Sequence, residues 1–449
     1  MKPFLTAFAV LFAACSLAPE QGDADAEATA DAGATVLDAA VISAHLMGFS
    51  GVASLPRDSA AAQPFLTAMG YASQQAYQDD MVSRMGALSA PMARGHIFYA
   101  GQGQFAVEGV VARLEAAGAD VYGWVNPAGP FEALDAQFDA ALTALVKAHP
   151  AIRVWQLGNE PDLLWKDPAL YPAFFLRAQP LIRAACPDCR IALAGISNQY
   201  DSSSANYQLF DGYVSAIASG SYTGKAFDIF DFHYYKEAPR SDEIASAASS
   251  YRAILHKYGM DEVALWCTET GLYTGDPPSP QLGPRTEEEQ ARDLPKLVSW
   301  MARSGVERIY LWTLVEAVEA DGIAGLFDSM GLVYNGIGSE TSQGIAAGTA
   351  KKAYTTFGLL AKALQDITGA TELSAGVERI ETAAGPVFVV WSEGGSVQAS
   401  LTGLSASKVK VQELVPDAQG QTPSTSADVV DGAVFIDLTA NPRLVTLVP

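Results

Sequence analysis

One break in the apolar pattern constrains this chain more than any other feature. Residues 152–157 run as Ile152-Arg153-Val154-Trp155-Gln156-Leu157 and stop at Gly158-Asn159-Glu160-Pro161. Proline cannot donate to a strand ladder, so the strand ends there. A carboxylate at the end of a buried parallel strand sits where α/β barrels carry their chemistry. A second run, Val263 to Thr268, ends on Glu269 and breaks at Gly271. A lone glutamate at a strand end is most often solvated or caps the next helix. Two of them, on the fourth and seventh strands of a repeating strand–helix pattern, are the minimal equipment for splitting a glycosidic bond.

That repeating pattern spans residues 38–366, where short apolar runs alternate with amphipathic stretches. Strands are expected near 41–48, 91–98, 120–126, 152–159, 191–197, 228–234, 263–269 and 307–313, which completes a (β/α)8 TIM barrel of the α/β class. Thr286-Glu287-Glu288-Glu289 reads as a capping box, and Leu294, Leu297, Val298 and Met301 follow at helical spacing up to Gly305. The segment 130–148 repeats this with Leu134, Phe138, Leu142 and Leu145. From residue 367 to 449 the period changes to two, with runs at 377–382, 386–392, 396–401, 408–415, 433–438 and 443–448. This implies a small C-terminal antiparallel β-sandwich domain. Trp391 is its only tryptophan, which favours a bracing role over sugar binding.

A formal charge of −22 excludes nucleic acid and anionic membrane surfaces as partners, because phosphate binding needs clustered Lys and Arg. The N-terminus reads as an export signal: Lys2, an apolar run from Phe4 to Ala14, then Cys15. Leu11 to Cys15 resembles the lipobox of bacterial lipoproteins, with Phe12 where leucine is usual. Acylation at Cys15 and simple cleavage both stand, and the expected location is the periplasm or outer membrane of a Gram-negative bacterium. Residues 16–37 are Ala-, Asp- and Glu-rich and read as a disordered tether, so any membrane attachment would run through the lipid anchor alone. Cys186 and Cys189, in an exported chain with no second CxxC, are a disulfide candidate; Cys267, within an apolar strand, is a core thiol. The five scattered histidines give no metal-site spacing, and neither metal nor cofactor is expected.

The barrel segment resembles clan A glycoside hydrolases, whose catalytic glutamates follow the fourth and seventh strands. By that resemblance Glu160 matches the acid/base, Asn159 the amide that binds the sugar 2-hydroxyl, and Glu269, in Thr268-Glu269-Thr270-Gly271, the nucleophile. Arg94 matches the arginine that steadies the nucleophile, His233 and Tyr235 the sixth-strand His-x-Tyr, and Trp312 the floor of the sugar subsite. Arg94-Gly95-His96 resembles the Arg-x-His of family 39, while Gly158 stands where that family usually has tryptophan; family 5 is the other neighbour. Trp124, Trp165, Tyr273 and Phe49 are further rings at strand ends where loops could present them to sugars.

The resemblance implies double displacement. Like charges on neighbouring carboxyls resist joint ionisation, so one holds a proton and donates it while the other attacks. Glu160 serves as acid and then as base, with net retention on a β-linked oligo- or polysaccharide of plant or algal type. A monomer needing no cofactor is expected. A non-catalytic glycan-binding lipoprotein on the same scaffold is the competing reading, but it would be expected to lose Glu160 or Glu269. Gly48-Phe49-Ser50-Gly51 and Gly195-Ile196-Ser197-Asn198 both fail the serine-hydrolase elbow pattern.

Overall fold

The computed structural model describes residues 35–36, 45–53, 55, 59–127, 134–165, 167–197, 205–276, 282–317, 326–337, 344–395 and 397–448. The export signal with Cys15, and the expected tether apart from Thr35 and Val36, lie outside the described residues. No helix among the described residues is long and apolar enough to cross a membrane.

Eight parallel strands form the barrel: β1 (Met47–Phe49), β2 (Met92–Gly101), β3 (Asp120–Pro127), β4 (Val154–Leu157), β5 (Arg190–Ala192), β6 (Ile229–Tyr235), β7 (Ala264–Gly271) and β8 (Val306–Leu311). They pair in sequence order, and β1 closes the ring by pairing with both β8 and β2. β2 runs past the barrel rim into a hairpin with Gln104–Val107, which the sequence reading did not include. Side chains of alternate residues point inward. Met92, Tyr122, Val154, Ala192, Ile229, Ala264, Trp266 and Tyr310 make a packed plug across the interior. Two residues further along their strands lie Arg94, Trp124, Gln156 and Asp231, so the interior turns polar above the plug.

The helices are built as their sequences imply. Thr286 Oγ1 accepts from the Glu289 N–H at 3.1 Å and Glu289 Oε2 accepts from the Thr286 N–H at 2.8 Å, which opens the helix Glu287–Arg303. Phe138–Ala148 forms a helix shorter than the expected 130–148 segment, with Phe138, Leu142, Leu145 and Val146 buried. Cys186 and Cys189 are disulfide-bonded in the turn before β5.

The C-terminal part holds β9 (Ile367–Ser374), β10 (Val377–Thr382), β11 (Gly385–Val390), β12 (Val397–Leu401), β13 (Lys408–Glu413), β14 (Ser424–Asp428), β15 (Val434–Leu438) and β16 (Arg443–Val448). β9 and β14 lie outside the expected runs; β14 is nearly all polar and exposed, so it shows no period-two pattern. The large sheet orders as β9-β10-β11-β16-β13-β14, and β12 pairs with β15 in a second sheet. Thr35 and Val36, at the end of the expected tether, are strand rather than tether: they pair antiparallel with Ala370 and Gly369 and extend the edge at β9. Phe388, Val390, Leu401, Val409, Ile436 and Val445 fill the space between the sheets. The other face packs on the helix Glu287–Arg303, where Arg303 bridges to Glu378 at 2.8 Å and Trp391 meets Trp300 edge-on. Trp391 is buried and donates to Glu393 at 2.9 Å, so it braces this junction.

Candidate active site

Each of the two glutamates is turned into the barrel by a local departure from regular strand. After β4 the chain takes two left-handed residues in three, Gly158 at φ +84° and Glu160 at φ +38°. Glycine is required at 158 twice over: the φ is positive, and a Cβ there would lie 3.0 Å from the Tyr171 ring. Glu160 holds its conformation without that freedom, at a cost of about 1–3 kcal/mol that surrounding contacts must offset. They are present: the Glu160 N–H donates to Gly195 O at 2.9 Å, and Pro161 starts the turn Pro161–Leu164. The Tyr171 hydroxyl donates to Leu157 O at 3.0 Å and accepts from the Ala194 N–H at 2.7 Å, clipping β4 to β5 just below.

On β7, Ala264 and Trp266 face inward while Leu265 and Cys267 face the outer core. Strict alternation would send Glu269 outward with Cys267. A register shift intervenes: Cys267 lies opposite Phe232, yet Glu269 lies opposite His233, two strand positions on β7 against one on β6. The bulge re-aims Glu269 into the barrel mouth. Thr268, the extra residue, gives its N–H to Asp231 Oδ1 at 3.1 Å and its hydroxyl to Oδ2 at 2.7 Å.

The two carboxylates then share one compact cluster. An oxygen from each glutamate and a ring nitrogen of His233 all lie within 4.8 Å of one another. His233 Nδ1 is 2.7 Å from Glu160 Oε1 and 3.5 Å from Glu269 Oε2. The Tyr235 hydroxyl donates to Glu269 Oε2 at 3.1 Å. Arg94, 1% exposed, spreads its fork across the floor: Nη1 donates to Glu269 Oε1 and, at 3.2 Å, to Ser50 Oγ; Nη2 donates to Asn159 Oδ1 at 2.6 Å and Nε to Gln156 Oε1 at 2.9 Å. Its guanidinium lies over the Trp124 ring at 4.4 Å. Burial alone would raise the Glu269 carboxyl, but the His233 and Arg94 charges, with hydrogen bonds from Arg94 and Tyr235, hold it below the ordinary carboxylate value. Glu269 is thus held as an anion at neutral pH. The same three groups could hold a cation; their carboxylate oxygens already lie in contact with Arg94, Tyr235 and His233.

Of the aromatic candidates, three form one wall. His96 sits edge-on to Trp124 at 4.6 Å and parallel to Trp312 at 6.5 Å, and its Nδ1 lies 3.8 Å from Glu108. Trp312 is half-buried. Three others are taken up by packing. Trp165 is 5% exposed and lies edge-on to Tyr171 and Phe174, because the chain after Pro161 folds back onto the helix Tyr171–Ala185. Phe49 stacks on Phe357 at 4.7 Å in the outer core. Tyr273 is fully buried beside Tyr235 and Met330, with its hydroxyl on Gly283 O at 2.9 Å. Gln156, Ser50 and Asp231 were not among the sequence candidates; the signal for Gln156 and Asp231 was a polar residue inside an otherwise apolar strand.

No protein-family model and no curated protein matches the chain. Solved structures do match in fold. A glucosidase from Croceicoccus marinus superposes with a TM-score of 0.61 at 12% identity, over 92% of this chain and 98% of the other. A family 39 glycoside hydrolase from the gut symbiont Bacteroides cellulosilyticus WH2 gives 0.59 at 14% identity, over 82% and 78%. A GH39 β-xylosidase from Caulobacter crescentus gives 0.57 at 13% identity, over 93% and 98%. The chain therefore has the barrel-plus-β-domain fold seen in these glycoside hydrolases.

Proposed function

We propose that this protein is a retaining β-glycoside hydrolase. The observation that carries the reading is the placement of Glu160 and Glu269 on two strand ends with oxygens less than 4.8 Å apart. Retaining enzymes hold their carboxyl groups about 5–5.5 Å apart, whereas inverting enzymes need about 6.5–9.5 Å to admit a water between them. The asymmetry of partners supports the division of roles. Glu269, held as an anion by His233, Arg94 and Tyr235, attacks the anomeric carbon; Glu160, free of contact with Arg94 among the bonds described above, protonates the leaving oxygen and later deprotonates the water. Asn159, held by Arg94, presents its amide NH2 toward the 2-hydroxyl position, and His96, Trp124 and Trp312 wall the subsite.

The substrate class we favour is an oligo- or polysaccharide of plant or algal type. Aryl β-glucoside, xyloside, mannoside, galactoside and fucoside, assayed beside polysaccharides, test this. Release of aryl alcohol from at least one β-glycoside is expected; a purified, folded protein silent on every β-glycoside and polysaccharide, yet binding glycan, would favour the non-catalytic reading.

A further inference from the structure

The geometry points to Lys351 as a positioning residue for the sugar subsite: its ammonium joins three chain segments at the barrel mouth, seats Met330 against Trp312 and so sets the ring that floors the subsite, a role that rests on the glycosidase reading above. Lys351 is the residue before the helix Lys352–Ala363, and its side chain is fully buried. That is a poor place for a cation, because a helix N-terminus carries partial positive charge and prefers Ser, Thr, Asp or Asn as its cap. The capping is done by Glu287 instead, whose Oε2 accepts from the Lys352 N–H at 2.9 Å. What holds Lys351 lies inside the fold.

Nζ lies 2.5 Å from Glu316 Oε1, donates to Thr274 Oγ1 at 2.7 Å and to Ser329 O at 3.0 Å, and sits 4.7 Å from the centre of the Tyr334 ring. Each acceptor belongs to a different segment. Thr274 is five residues past Glu269 on the exit from β7, Glu316 is four past Trp312 on the exit from β8, and Ser329 ends the short turn Leu326–Ser329. The Lys351 N–H adds a further tie, to Leu332 O at 2.8 Å. A buried ion pair adds little stability over a well-packed apolar pair. An ammonium, with three donors, can bond all three segments at one point, which no apolar side chain can.

The clamp meets the site at the residue after Ser329. Met330, 1% exposed, packs with Tyr235 and Tyr273, and Trp312 lies against that cluster. Met330 Sδ and Trp312 O both crowd Gly271, two residues past Glu269: a Cβ there would lie 2.7 Å from each. Gln290 fixes the same place from behind, its Nε2 donating to Leu272 O at 2.6 Å and to Met330 O at 3.3 Å. Glu269 itself is held separately, by Arg94 and Tyr235. Loss of the Lys351 bonds therefore loosens the Met330–Trp312 contact more than it moves the carboxylates, and the consequence falls on sugar binding more than on bond breaking.

The test uses the full chain labelled with 5-fluorotryptophan, in which the Trp312 19F signal is the one missing from Trp312→Phe. The variant is Lys351→Met combined with Glu316→Leu, which exchanges the ion pair for apolar groups and should fold. Its Trp312 signal should shift or broaden, while those of Trp300 and Trp391, at the junction with the β domain, stay in place. On the aryl glycoside that the panel selects, KM should rise about 2–30-fold, the range usual for a residue acting through a neighbour, with a smaller fall in kcat. Met330→Ala, which keeps the Lys351 bonds and removes the packing between them and Trp312, should move the same signal and raise KM. A folded double variant with the Trp312 signal and KM of the wild type, or with its loss confined to kcat, would overturn the proposal; if the double variant does not fold, an unmoved signal and KM in Met330→Ala does so. The 19F signal needs no turnover. A wild type inactive on glycosides would therefore sink the function above and leave this test standing.

Discussion

Replacing Glu269 with alanine should abolish turnover on every substrate, and added azide or formate should restore it with an inverted product. Without the carboxylate no glycosyl enzyme forms, and the space it leaves lies on the face from which a small anion can attack the anomeric carbon. Arg94 and Tyr235, which donate to Glu269, remain to receive that anion. Replacing Glu160 with alanine should give the opposite signature. Substrates with good leaving groups still form the glycosyl enzyme, and azide then yields a product of retained configuration. For poor leaving groups the loss should be about 10²–10⁴-fold, the usual contribution of a positioned general acid. Product configuration read by 1H NMR distinguishes the two variants. The same azide outcome for both would require the roles of Glu160 and Glu269 to be abandoned.

Arg94 should be the next most sensitive position. Its fork links Glu269, Asn159, Gln156 and Ser50, and lysine can satisfy the charge but not that geometry. Arg94→Lys should fold and lose on the order of 10²-fold in kcat/KM, as misplaced reacting groups do. Arg94→Met should also cost about 3–5 kcal/mol of stability, because it strands a buried carboxylate. The pH profile gives the sign. Glu269 must be ionised to attack; burial raises its carboxyl, and His233 and then Arg94 bring it below the ordinary value. Removing the Arg94 charge moves the acid limb of kcat/KM to higher pH. Urea unfolding and a pH–rate series measure both effects, and an acid limb that stays in place in Arg94→Met would show that Arg94 does not hold Glu269 ionised.

The barrel was legible because its signals are local and repeated. Eight apolar runs separated by capped helices can bury their faces in few other ways, and most observed strands fall within about three residues of the expected ones; the first, expected at 41–48, is Met47–Phe49, with 41–44 outside the described residues, and the fifth, expected at 191–197, is only Arg190–Ala192. Most of the cluster came from the resemblance to clan A glycoside hydrolases; period two adds only that residues two apart on one run, Arg94 and His96 or His233 and Tyr235, share a strand face. What periodicity alone does not place was set by irregularity. Alternation counted from Cys267 puts Glu269 on the wrong face, and only the bulge at Thr268, visible in the pairing with β6, turns it inward. Trp165 follows Glu160 by five residues, yet the left-handed turn at Glu160 sends the following chain back to the outer helices. β14 and the hairpin at Gln104–Val107 have too little apolar alternation to announce themselves.

The central claim is that Glu269 becomes covalently attached to the sugar. Incubation with the 2-deoxy-2-fluoro glycoside of whichever sugar the aryl panel selects slows the second step and accumulates the intermediate. Proteolysis and mass spectrometry then locate the label. A single glycosyl group on the peptide that contains Glu269, absent from Glu269→Ala, is the expected result. A label on Glu160, or steady hydrolysis of the parent glycoside with no adduct and an inverted product, would contradict the account.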